Sequence, residues 1–304
     1  MIPRRVLVTG GTGFIGSHLV RLLRASGRSV ALLSHPRRAA TPRAKMADDV
    51  VLLTLGERGS GQGPTIREWA PDACIHLAWH TEPGNYLDSP ENLTSLSNSL
   101  SVLQAVIDAG CHRIAMAGTC AEYAASEEWL REESPTRPAT LYAATKLSAC
   151  LIAEQLATRH GVDLAWGRIF FPYGPGEDAR RAVPSVIRSL LRGEPFPASP
   201  GEQVRDFIHV EDVASAFLAL IDAPARGIFN VSSAEPITLR EVMETIGEII
   251  GARDLVEFGA LPYRAWDPMF ICGENARLRE TGWQRRYPLR EGLIQTVEWW
   301  RAQS

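Results

Sequence analysis

Apolar residues along the first half of the chain recur in two alternating rhythms. Val6 to Thr9 is a short aliphatic run that predicts a strand, and a glycine-rich turn follows it. From Phe14 to Ser26 the apolar positions Ile15, Leu19, Leu22 and Leu23 fall on one face of a helix. Strand-like runs come next at Val30–Leu33, Val50–Leu53 and Cys74–Ala78. Leu96, Leu100, Leu103 and Ile107 repeat at helical spacing and predict a long helix over Asn92–Ala109. Arg113–Ala117 then reads as a strand, Leu141–Arg159 as a helix and Leu164–Phe170 as a strand. Short strands alternating with helices predict an α/β chain with a doubly wound parallel sheet of the Rossmann type.

Beyond Phe170 the rhythm breaks. Proline and glycine crowd the stretch 172–201, and helices expected over Val183–Leu191, Asp212–Ile221 and Leu239–Ile250 are separated by irregular segments. Gly227–Val231 has the composition of one more sheet strand. The chain therefore divides into a sheet domain over 1–170, with a returning segment at about 206–232. A smaller interleaved α/β cap takes 171–205 and 233–304.

Composition narrows the partners. The 304 residues are 45% hydrophobic, enough for a substantial core, and the formal net charge of −3 offers no footprint for nucleic acid. No run of ~18 apolar residues is present, so no membrane span is expected. The opening MIPRRVLVTGG enters a strand at once, which leaves no room for a signal peptide. Cys74, Cys111, Cys120, Cys150 and Cys272 are scattered, with neither CxxC nor a Cys/His cluster, so neither a disulfide framework nor a metal site is expected. A reducing cytoplasm fits such thiols. Of the 32 basic residues only Lys45 and Lys146 are lysine. A coding bias toward arginine explains the shortage, and under it a surviving lysine marks a place where arginine does not serve.

The first strand runs into Gly10-Gly11-Thr12-Gly13-Phe14-Ile15-Gly16 and then into the first amphipathic helix. Glycines here permit a tight bend and close helix–strand packing. The backbone of Gly10, Gly13, Phe14, Ile15 and Gly16 then faces a pyrophosphate across a helix N-terminus. The strand–turn–helix context makes this a dinucleotide-binding turn. An NAD-specific unit places Asp or Glu ~20 residues further on, to hold the ribose 2′-hydroxyl. This chain has Ser34-His35-Pro36-Arg37-Arg38 there. With no carboxylate to repel a phosphate, Ser34, Arg37 and Arg38 point to NADP(H) over NAD(H), which remains possible; the other reading of the arginines is solvated surface.

A second constellation follows. Thr119 stands just past a strand's end, and Tyr142 and Lys146 lie four apart on one helical face. A tyrosine hydroxyl ordinarily titrates near ~10. An adjacent ammonium stabilises the phenolate and is expected to lower that value. Lysine suits the task as a compact charge that also bonds ribose hydroxyls.

Taken together, GGTGFIG at 10–16, HLAW at 76–79, GTCAEY at 118–123, YAATK at 142–146, RIFFPYGPGE at 168–177, VRDFIHVEDVA at 204–214 and GLIQTVEWW at 292–300 resemble the extended short-chain dehydrogenase/reductase family of nucleotide-sugar epimerases, dehydratases and 4-ketoreductases. The resemblance spans nearly the whole chain. It implies a Rossmann domain carrying the dinucleotide and a C-terminal domain gripping a nucleoside-diphosphate sugar. Tyr142 would be the acid/base, Lys146 its partner and Thr119 the donor to the substrate oxygen. Leu77, Ala78 and Trp79 would line the nicotinamide side, and Arg205 would meet the nucleotide part of the substrate. It further implies a homodimer built on the helices at 92–109 and 141–159.

Departures from the family pattern decide the subtype. Dehydratases of the family carry an Asp-Glu pair after the threonine, where this chain has Cys120 and Ala121. Ala121 transfers no proton, which counts against dehydration. Cys120 is offset by one from the place where epimerase-reductases of the family use a cysteine. Phe171 stands where relatives place an Asn against the substrate diphosphate, which implies an unusual sugar nucleotide or another substrate. Glu122 faces either the pocket or the surface. His80 and Glu82 touch substrate hydroxyls or belong to a polar loop.

The expectation is NADPH-dependent reduction of a nucleotide-sugar ketone, with Thr119, Tyr142 and Lys146 catalytic and with His80, Glu82, Cys120, Glu122 and Arg205 near the substrate. A 4-epimerase with retained cofactor and a non-catalytic dinucleotide-binding protein are the alternatives. If the arginines receive a 2′-phosphate, Arg37→Ala weakens NADPH binding by about tenfold or more, the worth of one charge-assisted hydrogen bond, and leaves NADH binding unchanged in a fluorescence titration. A parent protein that prefers NADH contradicts the assignment.

Overall fold

The structure, a computed structural model, describes residues 2–33, 51–53, 65–263 and 267–303. In chain order its elements are β1 (Arg5–Thr9), α1 (Phe14–Ala25), β2 (Ser29–Leu33), β3 (Val51–Leu53), α2 (Ile66–Trp69), β4 (Ala73–His76), α3 (Glu91–Asp108), β5 (Arg113–Thr119), α4 (Leu141–His160), β6 (Asp163–Ile169) and β7 (Phe171–Tyr173). Then come α5 (Ala182–Leu191), β8 (Phe196–Ala198), β9 (Val204–His209), α6 (Val210–Asp222), β10 (Gly227–Val231), β11 (Pro236–Thr238), α7 (Leu239–Ile250), β12 (Val256–Phe258), β13 (Phe270–Ile271), α8 (Ala276–Arg279) and α9 (Leu289–Arg301).

The expected doubly wound sheet is present. Seven strands lie in the order β10-β6-β5-β4-β1-β2-β3, and every pairing among them is parallel. One face is packed by Leu19 and Leu23 of α1 with Val213, Phe217 and Leu220 of α6, all against Val6, Val8 and Ile75. The other is packed by Val102, Leu103 and Val106 of α3 and Ala149 and Ala153 of α4 against Leu7, Ile114 and Trp166. Each fully buried leucine in these layers contributes about 1.5–3 kcal/mol. Among the described residues no helix is long and apolar enough to cross a membrane.

The chain returns to this sheet through α6 and β10, as the composition of Gly227–Val231 suggests. The return begins later than residue 206, because β9 pairs with β7, β11 and β13 in a separate small sheet. These short strands lack a readable period and were not foreseen. A third apolar cluster, Val183, Ile187, Leu190, Val242, Ile246, Leu293 and Val297, joins α5, α7 and α9 into the cap.

β4 ends at His76, two residues sooner than its apolar run suggests. Leu77 still donates its backbone N–H to the Thr9 carbonyl at 3.2 Å, and the chain then turns outward. A buried polar chain fixes this edge. Thr9 Oγ1 and His76 Nδ1 are 2.8 Å apart, His76 Nε2 and Ser99 Oγ are 2.8 Å apart, and the Ala78 backbone N–H donates to Thr9 Oγ1 at 3.2 Å. The ring thereby ties β1, β4 and α3 together directly under the loop 77–79.

Burial, aided by the positive charge of Lys146, pulls the His76 imidazole from 6.5 down to about 3. In the unfolded chain the ring takes up a proton below pH 6.5, while in the fold it stays neutral. The stability that His76 confers is therefore whole above that value and fades as pH falls from 6.5 toward 3. Urea midpoints of the parent and His76→Asn proteins are expected to converge over that window; a gap between them that ignores pH contradicts the assignment.

Candidate functional site

The glycine turn between β1 and α1 is built for close approach. Gly10 has φ +69°, and a Cβ there would lie 2.8 Å from the Ala78 backbone nitrogen. A Cβ on Gly16 would lie 2.1 Å from the Gly10 carbonyl oxygen, so α1 can start this near β1 only with glycine. Gly13 caps α1 without a side-chain hydrogen bond, and no acidic residue occupies the first turn. The positive end of the helix is thus left to an external anion. This cradle fits a dinucleotide pyrophosphate, which the backbone of Gly10, Gly13, Phe14, Ile15 and Gly16 would hold. Ser34, Arg37 and Arg38, expected at the 2′-phosphate, lie outside the described residues.

The structure brings Thr119, Tyr142 and Lys146 together at the C-terminal edge of the sheet. Thr119 closes β5 and caps the short 3₁₀ turn Cys120–Glu122, its Oγ1 accepting the Ala121 N–H at 3.3 Å. Its own hydroxyl proton is not used in that bond, and the Thr119 side chain acts on the Tyr142 phenol to favour its ionised form. Tyr142 sits in the first turn of α4, which Thr140 caps by accepting the Ala143 N–H at 3.2 Å. The Tyr86 ring meets the Tyr142 ring edge to face, with centroids 4.9 Å apart.

Lys146 is buried, with 3% of its surface exposed. Its ammonium donates to the Ala117 carbonyl at 2.7 Å and lies 3.9 Å from the centre of the Trp79 ring. Burial pulls it down to about 7, against the opposing charge of Glu122. Tyr142 moves in the direction opposite to the sequence expectation. Burial raises its phenol above the usual value, and Thr119 offsets this only in part. Held by Ala117 and Trp79, the ammonium does not overcome that burial in the resting site. A phenol so held keeps its proton until an oxygen is presented to it.

Leu77, Ala78 and Trp79 form the loop beside Gly10, on the side expected for a nicotinamide. Trp79 is anchored through its indole N–H to Asn92 Oδ1 at 2.9 Å, and Asn92 donates to the carbonyls of Tyr86 and Ser89 at 2.6 and 2.9 Å. Asn92 is fully buried and was missed in the sequence, where only its place after Pro90 at a helix start hinted at a role.

The substrate-side candidates separate. His80 stays near the site, its backbone held by Ser95 and its Nε2 buried without a hydrogen-bond partner. Cys120 is partly buried beside Thr119, and burial pushes its thiol up to about 12. Glu82 carries a half-exposed carboxylate that pairs with Arg180 at 3.3 Å. The Arg205 guanidinium is enclosed, pairs with Asp267 at 2.5 Å and lies 5.4 Å from the centre of the Phe171 ring. Glu122 faces neither pocket nor surface. It is fully buried, with Arg168 Nε donating to it at 2.8 Å, the Trp166 indole N–H at 3.1 Å and the Thr119 backbone N–H at 2.9 Å. A strand-borne arginine far along the chain drew it inward.

Known proteins are similar to this chain over nearly its whole length. The chain is 29% identical to the UDP-glucose 4-epimerase of Azospirillum brasilense, over 97% of its own length and 91% of that protein. It is 28% identical to the GDP-6-deoxy-D-mannose reductase of Pseudomonas aeruginosa, over 99% and 98%. Its structure is similar to that of MoeE5 in complex with UDP-glucuronic acid and NAD, with a TM-score of 0.83 and 30% identity over 99% of this chain and 100% of that one. Residues 6–232 match the model of the NAD dependent epimerase/dehydratase family, and with the glycine turn, the threonine and the tyrosine–lysine pair in place, the chain belongs to that family.

Proposed function

We propose that the protein reduces a keto group on a nucleotide sugar, an NDP-4-keto-6-deoxyhexose, with NADPH. The observation that carries this reading is a threonine–tyrosine pair poised to give one proton, with no free carboxylate beside it among the described residues. Turning a carbonyl into an alcohol requires a hydride at carbon and a proton at oxygen. The dinucleotide, when bound, supplies the hydride to the carbonyl carbon and is itself oxidised. Tyr142 gives its phenolic proton to the carbonyl oxygen, and Thr119 donates a hydrogen bond to the same oxygen as charge builds on it. Lys146, one helical turn on, steadies the phenolate left behind.

Eliminating water would need a further group to take a proton from a neighbouring carbon. Cys120 is held as a thiol, Ala121 has nothing to offer and Glu122 is committed to Arg168. The likeness to a GDP-6-deoxy-D-mannose reductase supports reduction, and the carboxylate-free stretch 34–38 supports NADP(H). His80 Nε2, buried and unpartnered, suits a sugar hydroxyl. Leu93 on α3 and Leu151 and Ile152 on α4 are exposed apolar residues, which supports a homodimer paired through these helices.

A 4-epimerase is the second reading, favoured by the likeness to UDP-glucose 4-epimerases and to an NAD-bearing structure. It would use the same residues and keep its dinucleotide. A protein that binds dinucleotide without chemistry is the least supported, since Thr119, Tyr142 and Lys146 are all in place. Absorbance at 340 nm separates the three. Reduction predicts its loss in step with product from NDP-4-keto-6-deoxy sugars, and a rate at least about 100-fold lower in Tyr142→Phe, the usual worth of a general acid. Product without loss of absorbance contradicts reduction and supports epimerisation.

A further inference from the structure

Two arginines at the start of α5 reach the loop that follows Trp79, and their circumstances differ. Arg180 is matched twice, by Asp178 at 2.9 Å and by Glu82 at 3.3 Å. Arg181, the N-cap residue of α5, makes no ion pair among the described residues, and no acidic residue stands in the first turn of its helix. One N–H of its guanidinium donates to the Thr81 carbonyl at 3.2 Å, which leaves the rest of the planar fork unused. The guanidinium lies 5.0 Å from the centre of the Tyr86 ring, and that ring meets the Tyr142 ring edge to face at 4.9 Å. The backbone N–H of Tyr142 donates to the Leu87 carbonyl at 2.8 Å, so the loop that carries Thr81 and Tyr86 is fastened to the start of α4. An unmatched guanidinium therefore stands one ring away from the phenol.

Nearby carboxylates do not claim it. Asp178 and Glu82 turn to Arg180. Glu177 lies in the loop before α5, where burial pushes its carboxyl up to about 8 against the pull of Arg181, and its Oε2 is buried without a hydrogen-bond partner. At neutral pH most of that group holds its proton and offers the guanidinium no charge.

We infer that Arg181 is a substrate-binding residue whose guanidinium takes the diphosphate of the nucleotide sugar at the mouth of the site beside Tyr142. The inference rests on the reading that the substrate is a nucleotide sugar. A diphosphate brings negative charge that must be met as water leaves it, and the flat fork of an arginine matches phosphate oxygens in pairs. The glycine turn fits the dinucleotide, so the substrate needs a cation of its own. Arg205, the other arginine expected on that side, is enclosed and paired with Asp267. The Tyr86 contact and the Thr81 bond hold the Arg181 fork in place beforehand, which lowers the ordering cost of binding.

Calorimetric titration with UDP, GDP, CDP and dTDP tests this, on protein saturated with its dinucleotide so that the glycine turn is filled. The parent is expected to bind at least one of these diphosphates. Arg181→Gln is expected to weaken that binding by about tenfold or more, the worth of a charge-assisted hydrogen bond. Arg180→Gln removes an equal charge one residue away and is expected to cost about threefold or less, as exposed charges do. Dinucleotide affinity and the urea midpoint of Arg181→Gln are expected to match the parent's, since the side chain is partly exposed and makes a single hydrogen bond. Unchanged diphosphate affinity in Arg181→Gln, or an equal loss in Arg180→Gln, overturns the inference and leaves the nucleotide-sugar reading standing. If the parent binds none of the diphosphates, that reading fails and the inference fails with it.

Discussion

A lysine ammonium buried at the C-terminal edge of a parallel sheet constrains everything around it. A charge out of water is costly unless hydrogen bonds and an opposite charge meet it. Here the Ala117 carbonyl, the Trp79 ring and Glu122 share that task. Each is supported in its turn: Ala117 by the centre of the sheet, Trp79 by buried Asn92, and Glu122 by Arg168 and Trp166. Lys146 sits one turn beyond Tyr142 on the same helix, so the supports that hold the lysine also fix the helical turn that carries the phenol.

The large sheet supplies the geometry that this arrangement needs. Parallel strands end together, and the crevice beyond their carboxyl ends is where ligands of doubly wound folds collect. β1 contributes the glycine turn, β4 the loop 77–79 and β5 Thr119, so these three share one rim. The Thr9–His76–Ser99 chain fixes the spacing between the first two of these. The cap approaches from the other side, with Arg181 donating to the Thr81 carbonyl at 3.2 Å and Arg180 pairing with Glu82.

What could be read from the sequence was what is local. The glycine turn, the Tyr142–Lys146 spacing and the strand-end position of Thr119 all lie within a few residues of the elements that define them, and the structure has them where the pattern put them. The long helices and most strands of the large sheet were equally legible, because a 3.6-residue or continuous apolar period needs only a short window. Contacts across sequence were not. Glu122 and Arg168 are 46 residues apart, and Arg205 and Asp267 are 62 apart. No spacing rule announces that one charge will consume another. The pairings of Glu82 with Arg180 and of Arg205 with Asp267 are likewise invisible in the sequence. The direction of the Tyr142 shift failed similarly: proximity in sequence shows the ammonium, but only the packed site shows how deeply the phenol is buried.

The central claim is that a hydride passes from the dinucleotide to the sugar and stays there. Deuterium tracing addresses it most directly: NADPH carrying deuterium at the transferred position of nicotinamide C4, incubated with protein and an NDP-4-keto-6-deoxy sugar, with the product analysed by NMR. Hydride transfer places one deuterium on the new carbinol carbon in every product molecule. Product free of deuterium, made while the labelled NADPH remains intact, would contradict it.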